Sequence, residues 1–232
     1  MKREYTIGNM VASNLNAASI FEKHGIDYCC NGNLSLQEAC KKYKVDFEKL
    51  KIELEICKNK IHPVSVDIEQ LSLSELIDHI VDTHHLFLKN AIPQAELHLT
   101  KIVSVHGGNH PELKQVASLF VELKKDILEH LKKEEEVLYP KIKKLELTKK
   151  TDEFNPLAKI INEIESEHKI VGSIADSIHD ITNRYLVPED GCNTFKITYN
   201  ELKEIEHDLH IHIVKENQIL HPKALFLEKS LK

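Results

Sequence analysis

Apolar residues recur at steps of three and four along four long stretches of this chain, the spacing of a buried helix face. The first stretch covers about 73–104, with Ile77, Val81, His85, Leu88 and Ile92 on its stripe. The second, about 112–146, carries Val116, Leu119, Leu123, Ile127, His130, Glu134, Val137 and Lys141. The third, about 157–184, has Leu157, Ile161, Ile164, His168, Val171, Ala175 and Ile178. The fourth, about 194–226, has Ile197, Glu201, Ile205, Leu209, His212, Glu216 and Ile219. The breaks between them are His106-Gly-Gly-Asn-His110-Pro, residues 148–156 and Val187-Pro-Glu-Asp-Gly191. Pro93 is expected to kink the first helix or mark a bend. Short connections between long helices favour antiparallel neighbours, so an all-α, up-down four-helix bundle is predicted.

Residues 1–60 read differently. Their helical patterns are short and broken at Gly25 and Asn31-Gly32-Asn33. Ser35 with Glu38 is a capping-box signal for a helix over about 36–43, and a second short helix is predicted over 46–58. The polar stretch Asn59 to Asp67, containing Pro63, reads as a connection. The chain is thus divided into a small helical domain (1–60), a linker (61–70) and the bundle (71–232).

Composition narrows the function classes. A net charge of −6 with no basic stripe argues against nucleic-acid binding. No run of 18 apolar residues exists, so no membrane span is expected. The N-terminal Met-Lys-Arg-Glu-Tyr-Thr leads into no apolar signal core, which reads as a cytoplasmic protein. Five cysteines, an odd number, read as reduced thiols in that setting. Few glycines and no tryptophan fit a mostly helical chain.

Fifteen histidines are many for this length, and the excess lies after residue 78. Two stretches repeat one pattern 82 residues apart: His130, Glu134, Leu138 and Pro140, then His212, Glu216, Leu220 and Pro222. A spacing of four places imidazole and carboxylate one turn apart on one helix face. Each of the four stripes contains a histidine, so His85, His130, His168 and His212 converge with Glu134 and Glu216 on one interior. For the first helix, periodicity leaves His84 and His85 both open. An ionised glutamate on an apolar stripe is costly unless it is paired or binds metal. Two such glutamates with four imidazoles suit a pair of cations, and nitrogen plus oxygen ligands without thiolate suit iron or manganese, with zinc also open. Glu135 and Glu136 fall off the stripe and read as surface. Glu163 and Glu167 border the inward face of the third helix, where they could orient ligands or line an entry path. Cys29-Cys30 before Asn31-Gly32-Asn33 is a separate signal, read as a redox, nitrosyl-accepting or partner-docking pair.

Asp27-Tyr28-Cys29-Cys30-Asn31-Gly32, with His130-x3-Glu134-Glu, Glu165-Ser-Glu-His168 and His212-x3-Glu216-Asn, resembles the iron–sulfur cluster repair di-iron proteins. That family joins an ScdA-type N-terminal domain to a hemerythrin-like bundle, and the resemblance covers essentially the whole chain. It implies a non-haem, oxo- and carboxylate-bridged pair of iron ions. Their ligands would be His85, His130, His168 and His212, with Glu134 and Glu216 bridging. It favours His85 over His84, and it puts His106 and Glu167 near the metals. It implies a stress-response role in repairing iron–sulfur proteins damaged by nitric oxide or oxygen species, by iron delivery or nitric oxide handling. Nitric oxide reduction and a gas-sensing module are the alternatives, and a homodimer fits the small N-terminal domain. The pattern departs from oxygen-carrying hemerythrins, whose third helix has His-x3-His. Here Gly172 stands four residues after His168, so oxygen transport is not expected.

Overall fold

The computed structural model describes residues 6–58, 68, 70–152 and 156–231. The N-terminal segment forms α1 (Ile7–Ser13), α2 (Ala17–Lys23), α3 (Leu36–Tyr43) and α4 (Phe47–Lys58). The Ser35–Glu38 capping box starts α3 as expected, and Gly25 takes the left-handed conformation that ends the turn after α2.

The four stripes become four rods. The first runs α5 (Leu73–Ile80), a π-helical turn (Val81–His85) and α6 (Leu86–His106), which continues through Pro93 without a break. The second is α7 (Glu112–Lys133), a π turn (Glu134–Leu138) and α8 (Tyr139–Thr148). The third is α9 (Leu157–Ile181). The fourth is α10 (Asn193–Val214), a π turn (Lys215–Leu220) and α11 (His221–Ser230). α6 packs on α7 and α10, and α9 packs on α7 and α10, which closes the square.

Two carboxylates staple the rods antiparallel. Glu146, near the end of the second rod, accepts the backbone N–H groups of Leu73 and Ser74 at the start of the first, each at 2.8 Å. Glu228, near the end of the fourth, accepts the N–H of Leu157 at the start of the third at 3.0 Å. A carboxylate on the free amides at a helix N-terminus is favoured by both hydrogen bonding and the helix dipole. Glu146 and Glu228 are themselves 82 residues apart, so the internal repeat extends beyond the pattern read from the sequence.

The π turns account for one error in the predicted stripe. Each adds a residue to a turn and moves the following side chains around the helix. After Glu134 the buried position therefore passes to Leu138, and Val137 is exposed. In α10 the stripe runs Phe195, Tyr199, Leu202, Ile205 and Leu209, while Ile197 points outward. Strict steps of four back from Ile205 to Ile197 drift by about 80° from the 3.6-residue period, enough to leave the core face.

The N-terminal segment lies against the bundle at the level of these turns. Ile7, Val11 and Phe21 belong to one hydrophobic cluster with the bundle interior. Gly8 and Gly32 cross closely enough that a Cβ on Gly8 would stand 2.7 Å from the Gln218 side chain and 2.9 Å from the Gly32 backbone. The expected linker at 61–70 falls, apart from residues 68 and 70, outside the described residues.

Candidate metal centre

The three π turns sit where the chemistry was expected: one holds His84 and His85, one begins at Glu134, and one contains Glu216. Widened turns of this kind recur at functional sites. Pro140 and Pro222 each follow a widened turn and bring no amide hydrogen to it, so the last position of the sequence repeat has a backbone reason.

His85, His168, His212, Glu134 and Glu216 are wholly buried, and His130 nearly so. One oxygen of Glu134 faces one histidine pair, with His130 Nε2 at 3.0 Å and His168 Nε2 at 3.8 Å. Its other oxygen faces the second pair, with His85 Nε2 at 3.3 Å and His212 Nε2 at 3.7 Å. Glu216 Oε2 lies between the pairs, 3.0 Å from His168 Nε2 and 3.4 Å from His212 Nε2. Potential ligand atoms thus fall into two compact groups that share Glu134: His130, Glu134, His168 and Glu216, and His85, Glu134 and His212.

Three of the four far ring nitrogens are anchored, each from the next rod along the chain. His85 Nδ1 meets Glu135 at 2.6 Å, His130 Nδ1 meets Glu167 at 3.0 Å, and His168 Nδ1 meets Asn217 at 3.0 Å. Each anchor neighbours a central residue of the next rod. Anchoring Nδ1 fixes the ring orientation and turns Nε2 toward the carboxylates, the usual arrangement around metal-binding histidines. Lys89 holds Glu135 from outside, and Lys133 pairs with both Glu167 and Glu163. Glu135 is therefore part of the site's support, not a surface residue. It was misassigned because its side chain leaves the stripe and reaches sideways to the first rod.

His84 is buried but turned away from the carboxylates. Its Nδ1 meets Asp208 at 2.8 Å and its Nε2 meets the buried Lys215 Nζ at 2.7 Å, which also reaches His79. Of the two histidines that periodicity left open, His85 is the one that faces the carboxylates. His106 is not at the site: it follows His85 by 21 residues of helix, roughly 31 Å at 1.5 Å per residue. It instead packs on Phe195 at the other end of the bundle.

Charge is arranged unusually. Burial would raise the Glu134 carboxyl, but His130 and the other imidazoles outweigh burial and hold it well below the usual range. Against the same burial, Glu134 lifts His130 to about 9, and Glu134 and Glu216 lift His168 to about 10. Burial keeps His212 well below its ordinary value and neutral. Burial also brings Lys215 down to about 8. Both Glu134 oxygens, Glu216 Oε2 and both His212 nitrogens are buried with no hydrogen-bond partner. Short contacts without hydrogen-bonding geometry, around acceptors sealed from water, are what a cation site leaves among its ligands. Nitrogen and oxygen donors without thiolate fit iron, manganese or zinc.

Residues 3–58 match the ScdA_N domain model, described as a domain of unknown function, and residues 76–224 match the hemerythrin HHE cation-binding domain. The iron–sulfur cluster repair protein ScdA of Staphylococcus haemolyticus is 31% identical, over 89% of this chain and 91% of that protein. The iron–sulfur cluster repair protein YtfE of Escherichia coli O8 is 32% identical over 96% of this chain and 97% of its own length. The YtfE protein of an Enterobacter strain is 31% identical over the same shares. The chain belongs to the iron–sulfur cluster repair protein family. Its bundle is a hemerythrin-type cation-binding domain. Among the described residues no helix is long and apolar enough to cross a membrane.

Two further buried residues flank the centre, Tyr139 and His221, and Tyr139 was missed in the sequence. Tyr139 donates its hydroxyl hydrogen to Glu216 Oε1 at 2.7 Å and lies 3.2 Å from His85 Nε2. His221 stacks on His168 with ring centres 6.2 Å apart and meets Glu165 at 3.3 Å. Tyr139 and His221 are also 82 residues apart, so the repeat was the signal for both. Cys29 and Cys30 lie outside this cluster but behind one of its members: Cys30 Sγ is 3.5 Å from the backbone oxygen of His168.

Proposed function

We propose that this chain is a repair factor for iron–sulfur proteins damaged by nitrosative or oxidative stress, working from a pair of iron ions inside the bundle. His130 and His168 would hold one ion and His85 and His212 the other. Glu134 and Glu216 would hold the ions together with these histidines. The observation that carries this reading is the sealed cluster of four Nε2 atoms around carboxylate oxygens that have no other partner. Bound iron would supply redox-active and exchangeable metal positions there. The relatives named for iron–sulfur cluster repair supply the target class, damaged iron–sulfur proteins.

The chain's own residues divide the remaining work. Glu135, Glu167 and Asn217 orient the imidazoles, so the site is shaped before a cation arrives. Tyr139 occupies Glu216 Oε1 and leaves Oε2 to face the histidines. The buried Lys215, between His84 and His79, keeps a positive charge beside this half of the bundle. A cavity of about 280 Å³ lined by Asp126, Glu129, His130, Lys133 and Glu167 leads from solvent to His130. Its acidic wall suits passage of a cation.

The test uses a [4Fe–4S] dehydratase inactivated with nitric oxide. Iron-loaded chain is expected to restore its activity in proportion to the chain supplied. The doubly substituted Glu134→Ala, Glu216→Ala chain should restore none. Recovery no better than with free ferrous iron and thiol would overturn the repair reading. Sustained nitric oxide consumption with an electron donor, without recovery of the target, would replace it with nitric oxide reduction.

A further inference from the structure

Cys29 and Cys30 are adjacent in sequence, yet both sulfurs turn to the same side of the loop, 3.7 Å apart. Both thiols are free. Two thiolates on one tetrahedral ion, each bonded at about 2.3 Å, lie roughly 3.8 Å apart. Asp27 Oδ1 is 3.3 Å from Cys29 Sγ, and the three side chains form a compact group of ligand atoms.

The loop is built to hold them there. Asp27 Oδ1 accepts the backbone N–H groups of Cys29 at 3.1 Å and Cys30 at 2.9 Å, while Asn31 engages the other Asp27 oxygen. On the bundle side, Gly172 makes room, since a Cβ there would stand 3.2 Å from Cys30 Sγ. The position that departs from the oxygen-carrier pattern is thus the one over which this sulfur sits. The group opens on a cavity of about 250 Å³ lined further by Lys169, Ser173, Asp176 and His210.

We propose that Asp27, Cys29 and Cys30 form a second cation site, in which three protein ligands hold one thiophilic divalent cation and the fourth position faces the cavity. Three protein ligands with an open position mark an exchangeable site, whereas structural zinc sites are closed by four. On binding, each thiol loses its proton to solvent and no electron moves. Two thiolates and one carboxylate bring three negative charges, which the dication and Lys169 at the cavity wall offset. The site stands apart from the histidine–carboxylate centre and does not depend on which metal that centre takes.

The test adds cadmium(II) to the full, iron-loaded chain. One cadmium per chain is expected, with thiolate-to-cadmium ultraviolet absorption and no loss of iron. Cys29→Ser and Cys30→Ser should each remove the absorption, with iron content and circular dichroism reporting that the fold is kept. Because Cys29 is buried, the half-buried Cys30→Ser is the safer variant. A second readout needs no substitution: cadmium should slow alkylation of Cys30 by at least tenfold. Gly172→Ala, which crowds the sulfur, should weaken cadmium binding. Absence of the thiolate absorption in the unsubstituted chain would overturn the proposal, as would its persistence in Cys30→Ser, unprotected alkylation, or cadmium uptake matched by iron release.

Discussion

Glu134→Gln is expected to empty both halves of the bundle centre, reducing iron from about two ions per chain, the number di-iron bundles carry, to less than about half an ion. The substitution keeps the side chain's volume and removes only its charge. Each oxygen of Glu134 faces a different histidine pair, at 3.0 Å and 3.8 Å on one side and 3.3 Å and 3.7 Å on the other. Among the described residues, Glu134 is the member that the two compact ligand groups share. The contrast is Asn217→Ala, which removes only the anchor of His168 Nδ1. Loss of such a supporting partner typically weakens metal binding by ~10–100-fold without abolishing it. Iron analysis after dialysis against a weak chelator separates the two. Equal iron in Glu134→Gln and the unsubstituted chain would remove Glu134 from the site.

Cation uptake near neutral pH is expected to release at least one proton per chain, and the release should fade as pH rises past about 9 to 10. In the cation-free chain, His130 and His168 are lifted to about 9 and about 10. The carboxylates of Glu134 and Glu216, each 3.0 Å from one of these Nε2 atoms, favour the protonated rings. A metal needs these nitrogens unprotonated. Calorimetry in two buffers of different ionisation enthalpy reads the release, and a value of zero would contradict the account. The same groups set the stability of the cation-free chain. Raised histidines contribute stability that is full below their unfolded value near 6.5 and is lost as pH climbs through about 9 and about 10. Glu134, held low, contributes stability present above about 4.5 and lost as pH falls through its depressed value. His212, also held low, costs stability below about 6.5 and nothing above it. The maximum from these groups therefore lies at about 6.5, with stability falling below it as His212 stays neutral and above it as the raised histidines lose their advantage.

The bundle was legible because a 3.6-residue period is carried by many residues at once, so a slip at Val137 or Ile197 leaves the helix intact. The central six side chains were legible for a related reason: a polar residue on an apolar stripe is costly, and the repeat showed it twice. What failed was local backbone geometry. A π turn has no side-chain signature of its own, so nothing marked the change of phase after Glu134 beyond Pro140 and Pro222. Side chains that reach sideways between rods were also hidden. Glu135 looked like part of a charge run, and neither Asn217 nor Tyr139 was given a role, yet all three orient the centre. His106 erred in the other direction: the family resemblance placed it by analogy, and the length of α6 carries it to the far end of the bundle. His84 and His85 could not be separated by period because their π turn buries both.

The most direct test of the central claim is anomalous diffraction at the iron absorption edge from crystals of iron-loaded chain. The account predicts two peaks on either side of the Glu134 carboxylate, one beside His130 and His168 and one beside His85 and His212. A single peak, or iron bound away from Glu134, would contradict it.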